Sequence, residues 1–162
     1  MQYRVGAVLA IVLMTPSAVE AQTRPSIEIA GGWIGFPDDG GTVDETLVGG
    51  AARWPVTSRF SIGPEVVYIR DRNHSHVVVT GNVTWDFRPG RAVQPFFVVG
   101  GGLFQTHEEF FDDAFTSREG AFTAGGGMRL RITERMSVGV DSRIGWEPHL
   151  RIGAIVSIPV GR

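Results

Sequence analysis

The stretch that decides the fold is residues 76–87, which read HVVVTGNVTWDF. Its odd-numbered positions hold valine, glycine, tryptophan or phenylalanine, whereas its even-numbered positions are mostly polar. Successive side chains of a β-strand point to opposite sides, so apolar residues at every second position are typical of a strand with one apolar face. A helix would instead repeat its apolar residues with a period of about 3.6.

The same alternation recurs along most of the chain. It is clean in residues 59–70, 122–132, 136–146 and 150–160. It is less clean in residues 26–36, 42–54 and 94–106, which carry apolar residues or glycine on both faces. Their β-branched and aromatic content still favours strands. The eight segments together predict an all-β fold, an eight-stranded antiparallel up-and-down barrel.

The connections between these segments alternate in length. Short turns are predicted at residues 55–58, 88–93 and 133–135, and mostly longer, more polar loops at residues 35–41, 71–75 and 107–117. The last connection, at residues 147–148, is short and breaks the rule. Short turns at one rim and longer loops at the other are the arrangement of a transmembrane barrel, whose short turns face the periplasm. An even number of strands then places both ends of the barrel domain at the rim of the short turns.

The N-terminus has the pattern of an export signal. Arg4 precedes an apolar run at residues 5–14, and Pro16 ends that run. Small residues at Val19 and Ala21 predict cleavage before Gln22. We therefore predict a cleavable signal peptide at residues 1–21 and a barrel domain at residues 22–162, with an N-terminal membrane anchor as the alternative. The mature segment has no apolar stretch long enough for a transmembrane helix, so insertion into a membrane would require strands.

Two features favour lipid, rather than water, around the barrel. Charged residues lie in mid-strand on the polar faces, where they would form a lumen network of mutual pairs: Glu65, Asp86, Arg129, Arg131, Asp141, Arg143 and Arg151. Aromatic residues lie near strand ends, where they would form an aromatic girdle at headgroup depth: Trp33, Trp54, Phe60, Trp85, Phe87, Phe96 and Trp146. Such girdles flank the apolar band of membrane barrels. The alternative for the aromatic set is ordinary core residues near the edge of a soluble sandwich, and the alternative for the charged set is a solvated sheet face.

With its phrase PFFVVGGG at residues 95–102 and its closing strand at 150–160, the chain resembles the small bacterial outer-membrane β-barrels, the OmpA-like, OmpX-like and porin-like proteins. It departs from the family's usual terminal aromatic residue, because it ends VGR. The resemblance implies location in the bacterial outer membrane, contact with lipid and lipopolysaccharide, and insertion by periplasmic chaperones and the barrel-assembly machinery. It also implies a monomer.

Composition excludes several kinds of site. The net charge of −2 and the scattered arginines provide no basic stripe for nucleic acid. The absence of cysteine excludes disulfides and thiol metal sites. The triple glycines at residues 100–102 and 125–127 lie inside strands, and no helix follows to hold a phosphate. They suit a tightly curved small barrel instead.

Two clusters remain candidates for chemistry. His74, Ser75 and His76 suggest the His and Ser of lipid A deacylases, yet strand alternation would turn Ser75 away from both histidines. The acidic, phenylalanine-rich segment at 107–117 lacks EF-hand spacing, although its aromatics could mark a partner-binding loop.

We therefore predict no catalytic, cofactor-binding or metal-binding residues. The expected function is a non-enzymatic barrel with an envelope-structural or surface-interaction role. The lumen of an eight-stranded barrel is just wide enough for side chains, so we do not expect a wide pore. The alternatives are a soluble, periplasmic lipocalin-like barrel that binds an apolar ligand, and a membrane-embedded lipid-modifying enzyme.

Overall fold

The computed structural model describes residues 24–38, 40–70, 74–110, 113–146 and 148–161. Eight strands follow one another: β1 (Ser26–Asp38), β2 (Gly41–Pro55), β3 (Phe60–Arg70), β4 (His74–Asp86), β5 (Val93–Phe110), β6 (Asp113–Thr133), β7 (Met136–Gly145) and β8 (His149–Pro159). Each strand pairs antiparallel with its neighbour, and β8 pairs back with β1 to close the barrel. No helix long and apolar enough to cross a membrane occurs in the described residues.

All eight strands that the alternation predicted are present, and the closed antiparallel barrel is confirmed. The prediction of a loop at residues 107–117 was wrong. The β5 and β6 strands continue through most of this segment as a paired hairpin, from His107 opposite Thr116 to Phe110 opposite Asp113. The segment lacks apolar alternation because it lies beyond the band of outward-facing apolar residues, here called the apolar belt. Cross-strand backbone hydrogen bonds hold such a hairpin without an apolar face.

The barrel has two distinct ends. The first, here called the turn end, carries the short connections at residues 56–59, 87–92 and 134–135 together with Ser26 and Pro159. The second, here called the loop end, carries the β5–β6 hairpin tip and the connection into β8. The short turns predicted at the first end are thus confirmed. In outer-membrane barrels the turn end faces the periplasm.

Burial along each strand is the inverse of that in a soluble barrel. In β3 the apolar Phe60, Ile62, Val66 and Tyr68 are exposed, whereas Glu65 between them is buried. The same pattern runs through β8, where Arg151 and Ser157 are buried and Ile152, Val156 and Ile158 are exposed. Most apolar residues therefore face outward, where lipid would cover them, and the lumen holds the buried charged side chains together with a smaller set of buried apolar ones.

The height of the apolar belt matches a membrane. On β3 it runs from Phe60 to Tyr68 and ends at the charged Arg70. Nine residues of a strand tilted by about 40° span ~23 Å along the barrel axis, close to the ~25 Å apolar band of outer-membrane barrels. On the neighbouring strands the belt ends at Ser75 and at Thr46, which lie beside Arg70 in the sheet. The outer surface is thus apolar over one bilayer thickness.

Glycine at inward positions lets the strands curve tightly. A Cβ on Gly63 would collide with the backbone carbonyl of Ala52 on the adjacent strand. A Cβ on Gly81, which faces outward, would meet nothing closer than ordinary van der Waals contact, at 4.0 Å. The inward glycines therefore replace side chains for which the small barrel has no room.

Candidate functional site in the barrel lumen

The middle of the lumen holds an ion-pair cluster of two carboxylates and two arginines, here called the central cluster. Glu65 of β3 accepts hydrogen bonds from Arg143 Nη1 and Arg151 Nη2, both at 2.7 Å. Asp141 accepts from Arg143 Nε at 2.7 Å and from Arg151 Nη2 at 3.2 Å. Asn82 donates to Glu65 Oε2 at 2.5 Å. All four charged side chains are almost fully buried, and their formal charges cancel.

A second cluster of two carboxylates and two arginines lies nearer the turn end and is called the lower cluster. Glu28 lies between Arg53 Nε at 2.5 Å and Arg129 Nη2 at 2.9 Å. Arg129 Nη1 also donates to Asp86 at 2.9 Å, and Arg53 Nη1 donates to Thr84 Oγ1. This cluster is also formally neutral. Between the two clusters the free volume is about 10 Å³, room for at most one water.

Above the central cluster, toward the loop end, an apolar layer crosses the lumen. Its buried members come from four strands: Ile34, Leu47, Val67, Ile69 and Phe104. Neutral clusters below and apolar side chains above leave no wide water-filled passage through the described part of the barrel. Charged groups in so confined a space are stabilised by pairing, because an unpaired buried charge is costly.

A histidine lies at the loop-end side of this layer. His76 Nδ1 is 3.0 Å from Thr106 Oγ1, and His76 Nε2 is 4.0 Å from the buried Glu45. The His76 ring also packs on Phe104, with centroids 5.1 Å apart. His76 therefore faces the lumen, and Ser75 lies on the opposite face of β4. A nucleophile and base cannot meet through these two residues. The side chain of His74 lies outside the described part of the chain.

The seven residues of the predicted lumen network all belong to inward-facing positions. Four of them build the central cluster, and Asp86 and Arg129 belong to the lower cluster. Arg131 lines the wide space at the turn end. The sequence analysis missed Glu28 and Arg53. The alternation of apolar and polar residues along β1 and β2 would have indicated them, because Glu28 lies between the apolar Ile27 and Ile29.

The predicted aromatic girdle needs one correction. Six of its seven residues occupy outward positions. At the turn end the Trp85 ring stacks on Phe60, with ring centroids 5.8 Å apart, and packs at a tilt against Phe87, with ring centroids 4.6 Å apart. The assignment of Phe96 was wrong. It is only 2% exposed and lies in the lumen, where the Arg129 guanidinium stands 4.0 Å above its ring. Inward positions of β5 are even-numbered, so Phe97 is the outward neighbour.

At the turn end the lumen widens into an open vestibule of about 640 Å³. Its charged lining comprises four arginines and three carboxylates: Arg24, Arg53, Arg129, Arg131, Glu28, Asp86 and Glu134. Hydroxyl groups of Ser26, Ser61 and Ser157 also line it. No group of three or more histidine or carboxylate side chains suited to a metal ion occurs in the part of the chain that the structure describes.

Comparison with known proteins agrees with this architecture. The family model of the outer membrane protein beta-barrel domain matches residues 5–151. No curated protein matches the chain by sequence. Among solved structures, Neisserial surface protein A (NspA) is similar with a TM-score of 0.76 at 8% identity, over 84% of this chain and 97% of that one.

Two further solved structures share the fold. The attachment invasion locus protein Ail of Yersinia pestis, solved with the heparin analogue sucrose octasulfate, has a TM-score of 0.61 at 10% identity, over 84% of this chain and 97% of Ail. The outer-membrane enzyme PagL has a TM-score of 0.50 at 13% identity, over 83% of this chain and 99% of PagL. At such low identity these similarities concern the fold alone. The family match, the closed eight-stranded barrel and its outward apolar belt show that this chain belongs to the outer-membrane β-barrel domain family and is a protein of the bacterial outer membrane.

Proposed function

We propose that this barrel is non-enzymatic and acts in surface contact, pairing an extended segment of a partner protein with the free edge of β6. The observation that carries the proposal is the strand register at the loop end. The β7 strand pairs with β6 only from Thr123 toward the turn end. The β6 strand continues to Asp113, so its edge toward β7 has no strand partner among the described residues from Asp113 to Ala121.

This edge stands clear of the membrane. The apolar belt on β5 ends after Leu103, and the hairpin continues from Gln105 to Phe110. Six residues of strand extend by ~20 Å. The hairpin is held to the barrel on its other side, where β4 pairs with β5 up to Glu108. It is therefore an extension of the sheet with one free edge.

The backbone groups that face the free edge can be assigned. Phe122 O accepts a hydrogen bond from Trp146 N at 2.9 Å, so the backbone of Phe122 faces the β7 side. Backbone direction alternates along an antiparallel strand, and residues 114, 116, 118 and 120 therefore direct their amides and carbonyls toward the edge. Four such residues form a template for an added strand.

The closed lumen supports this choice over the other functions. A wide pore needs a water-filled passage, and the neutral clusters and the apolar layer occupy it. A lipocalin-like site needs an open apolar cavity, whereas here the apolar layer is filled by its own side chains and the rest of the lumen is charged. Ser75 is turned away from His76, which disfavours the deacylase alternative. The names of two structurally similar proteins, the attachment invasion locus protein Ail and Neisserial surface protein A, support a role in surface contact.

The test measures peptide binding by the full chain in lipid nanodiscs. Peptides of twelve residues are selected from a random phage-display library, and the selected sequences are synthesised. We expect binders to slow amide hydrogen exchange at residues 116, 118 and 120, since these amides would donate to the added strand. The amides of residues 117 and 119 already donate within the hairpin and should change little.

Two variants separate the backbone edge from its side chains. Thr116→Pro removes one edge amide without touching the ladder to β5, and we expect it to weaken peptide binding by about tenfold. Arg118→Ala keeps the backbone intact and should change affinity by less than about threefold. Edge pairing would be contradicted if Arg118→Ala abolished peptide binding while Thr116→Pro bound fully. It would also be contradicted if no amide of residues 116, 118 and 120 exchanged more slowly when peptide is bound.

A further inference from the structure

We propose that the outer rim of the turn end selects anionic phospholipids from the periplasmic leaflet of the membrane. Each connection at this end, and the segment that leads into β1, carries an exposed arginine. These residues, here called the arginine ring, are Arg24 before β1, Arg59 between β2 and β3, Arg88 and Arg91 between β4 and β5, and Arg135 between β6 and β7. The ring is separate from the β6 edge and lies at the opposite end of the barrel.

The charges of the arginine ring are not neutralised by the protein. None of the five side chains forms an ion pair with another residue in the described part of the chain. They differ in this from the two buried arginines of the lower cluster, which Glu28 and Asp86 neutralise. Among the described residues of the rim, the one exposed carboxylate is that of Glu134. The rim therefore presents a strong excess of positive charge to its surroundings.

The ring lies close to the depth of lipid headgroups. Arg59 directly precedes Phe60 in the chain, and Arg88 directly follows Phe87. The rings of Phe60 and Phe87 both pack against Trp85 in the girdle of the turn end. Aromatic residues of such a girdle sit at headgroup level. One residue advances a strand by only ~3.3 Å, and an arginine side chain is long enough to cover that distance, so the guanidinium groups can reach lipid phosphates.

The distribution of the arginines favours lipid over a soluble partner. Arg24 lies at the seam between β1 and β8, because the backbone amide of Val160 donates to the carbonyl of Pro25 at 2.7 Å. The other four arginines lie on the three turns. Lipids surround a barrel on all sides in the same way, whereas a single protein partner would require its cationic groups on one side. Guanidinium groups bind phosphate through paired, charge-assisted hydrogen bonds, and basic residues at a membrane surface attract anionic lipid.

The loop end has the opposite charge and provides an internal control. Residues 107–119 contain five carboxylates and a single arginine, Arg118. Asp44, near the tip of the β1–β2 hairpin, is also exposed. Anionic lipid is therefore repelled at the loop end, and the preference should be confined to the turn end.

The test measures lipid selectivity at each end by tryptophan quenching of the full chain folded in phosphatidylcholine vesicles. One chain retains Trp85 at the turn end and another retains Trp146 at the loop end, with phenylalanine at the other three tryptophan positions. Brominated phosphatidylglycerol and brominated phosphatidylcholine are compared as quenchers. We expect Trp85 to report a preference of about threefold or more for phosphatidylglycerol, and Trp146 to report none. Equal quenching by the two lipids at Trp85, or an equal preference at both tryptophans, would overturn the proposal.

A charge variant then tests the ring itself. It carries glutamine at the four turn positions: Arg59→Gln, Arg88→Gln, Arg91→Gln and Arg135→Gln. We expect it to lose the preference at Trp85, whereas the control Arg70→Gln/Arg118→Gln, at the loop end, should keep it. A preference that survives in the ring variant would overturn the proposal.

A salt titration needs no arginine variant. Raising the salt concentration from about 0.01 M to about 1 M shortens the screening length from ~30 Å to ~3 Å, and the preference at Trp85 should fall severalfold. A preference that is insensitive to salt would contradict recognition by the exposed arginines.

Discussion

Neutralising Glu65 should be among the most destabilising single changes in this barrel. Its carboxylate accepts from Arg143, Arg151 and Asn82 at 2.7, 2.7 and 2.5 Å. In Glu65→Gln the two arginines would share Asp141 alone, and the central cluster would carry one uncompensated positive charge. Unit charges ~4 Å apart attract by ~4 kcal/mol at an effective dielectric constant of about 20. Removing one partner of a buried pair typically costs about 3–5 kcal/mol, and we expect that loss here.

The assay is equilibrium unfolding by guanidinium of barrels folded in lipid vesicles, followed by tryptophan fluorescence and by the heat-dependent shift of gel mobility. The double variant Glu65→Gln/Arg143→Gln restores neutrality and should lose clearly less than the two single variants added together. A loss below about 1 kcal/mol for Glu65→Gln, or strict additivity in the cycle, would refute the view that this network is tightly coupled.

Three further predictions concern the barrel wall and its interior. Gly63→Ala should cost about 1–3 kcal/mol in unfolding free energy, because its Cβ meets the neighbouring backbone, whereas Gly81→Ala should be nearly neutral in the same unfolding assay. Since the chain has no cysteine, single spin labels can be placed freely. A label at Ser61→Cys should be relaxed by a water-soluble nickel complex and one at Ile62→Cys by oxygen in lipid; the reverse result would mean that the faces are inverted. Vesicles containing the barrel should not swell in arabinose, because the layer around Phe104 closes the lumen, and rapid swelling would show that this layer is open.

Much of the fold could be predicted from the sequence because it follows from a local rule. Each strand alternates apolar and polar residues, and residues 76–87 show the rule at its clearest. The rule fails at the hairpin of β5 and β6 beyond the membrane. There the sequence carries no apolar alternation, although the backbone still pairs. Strand ends are therefore predictable only as far as the lipid enforces a pattern.

The partners inside the lumen could not be predicted in the same way. Glu65 contacts Arg143 and Arg151, which lie 78 and 86 residues further along the chain. Which carboxylate pairs with which arginine depends on how the sheet closes, and the periodicity of a single strand does not contain that information. Phe96 was misassigned for a related reason. Its position near a strand end suggested the girdle, but the even-numbered residues of β5 face inward.

The neutral clusters have a consequence for how the barrel enters the membrane. Glu28 of β1 is neutralised by Arg129 of β6, and Glu65 of β3 by arginines of β7 and β8. An incomplete sheet would thus expose unpaired charges to hydrocarbon, at a high energetic cost for each. We therefore expect insertion and closure of the barrel to be coupled, because Glu65 of β3 gains its full set of partners only when Arg143 of β7 and Arg151 of β8 are in place.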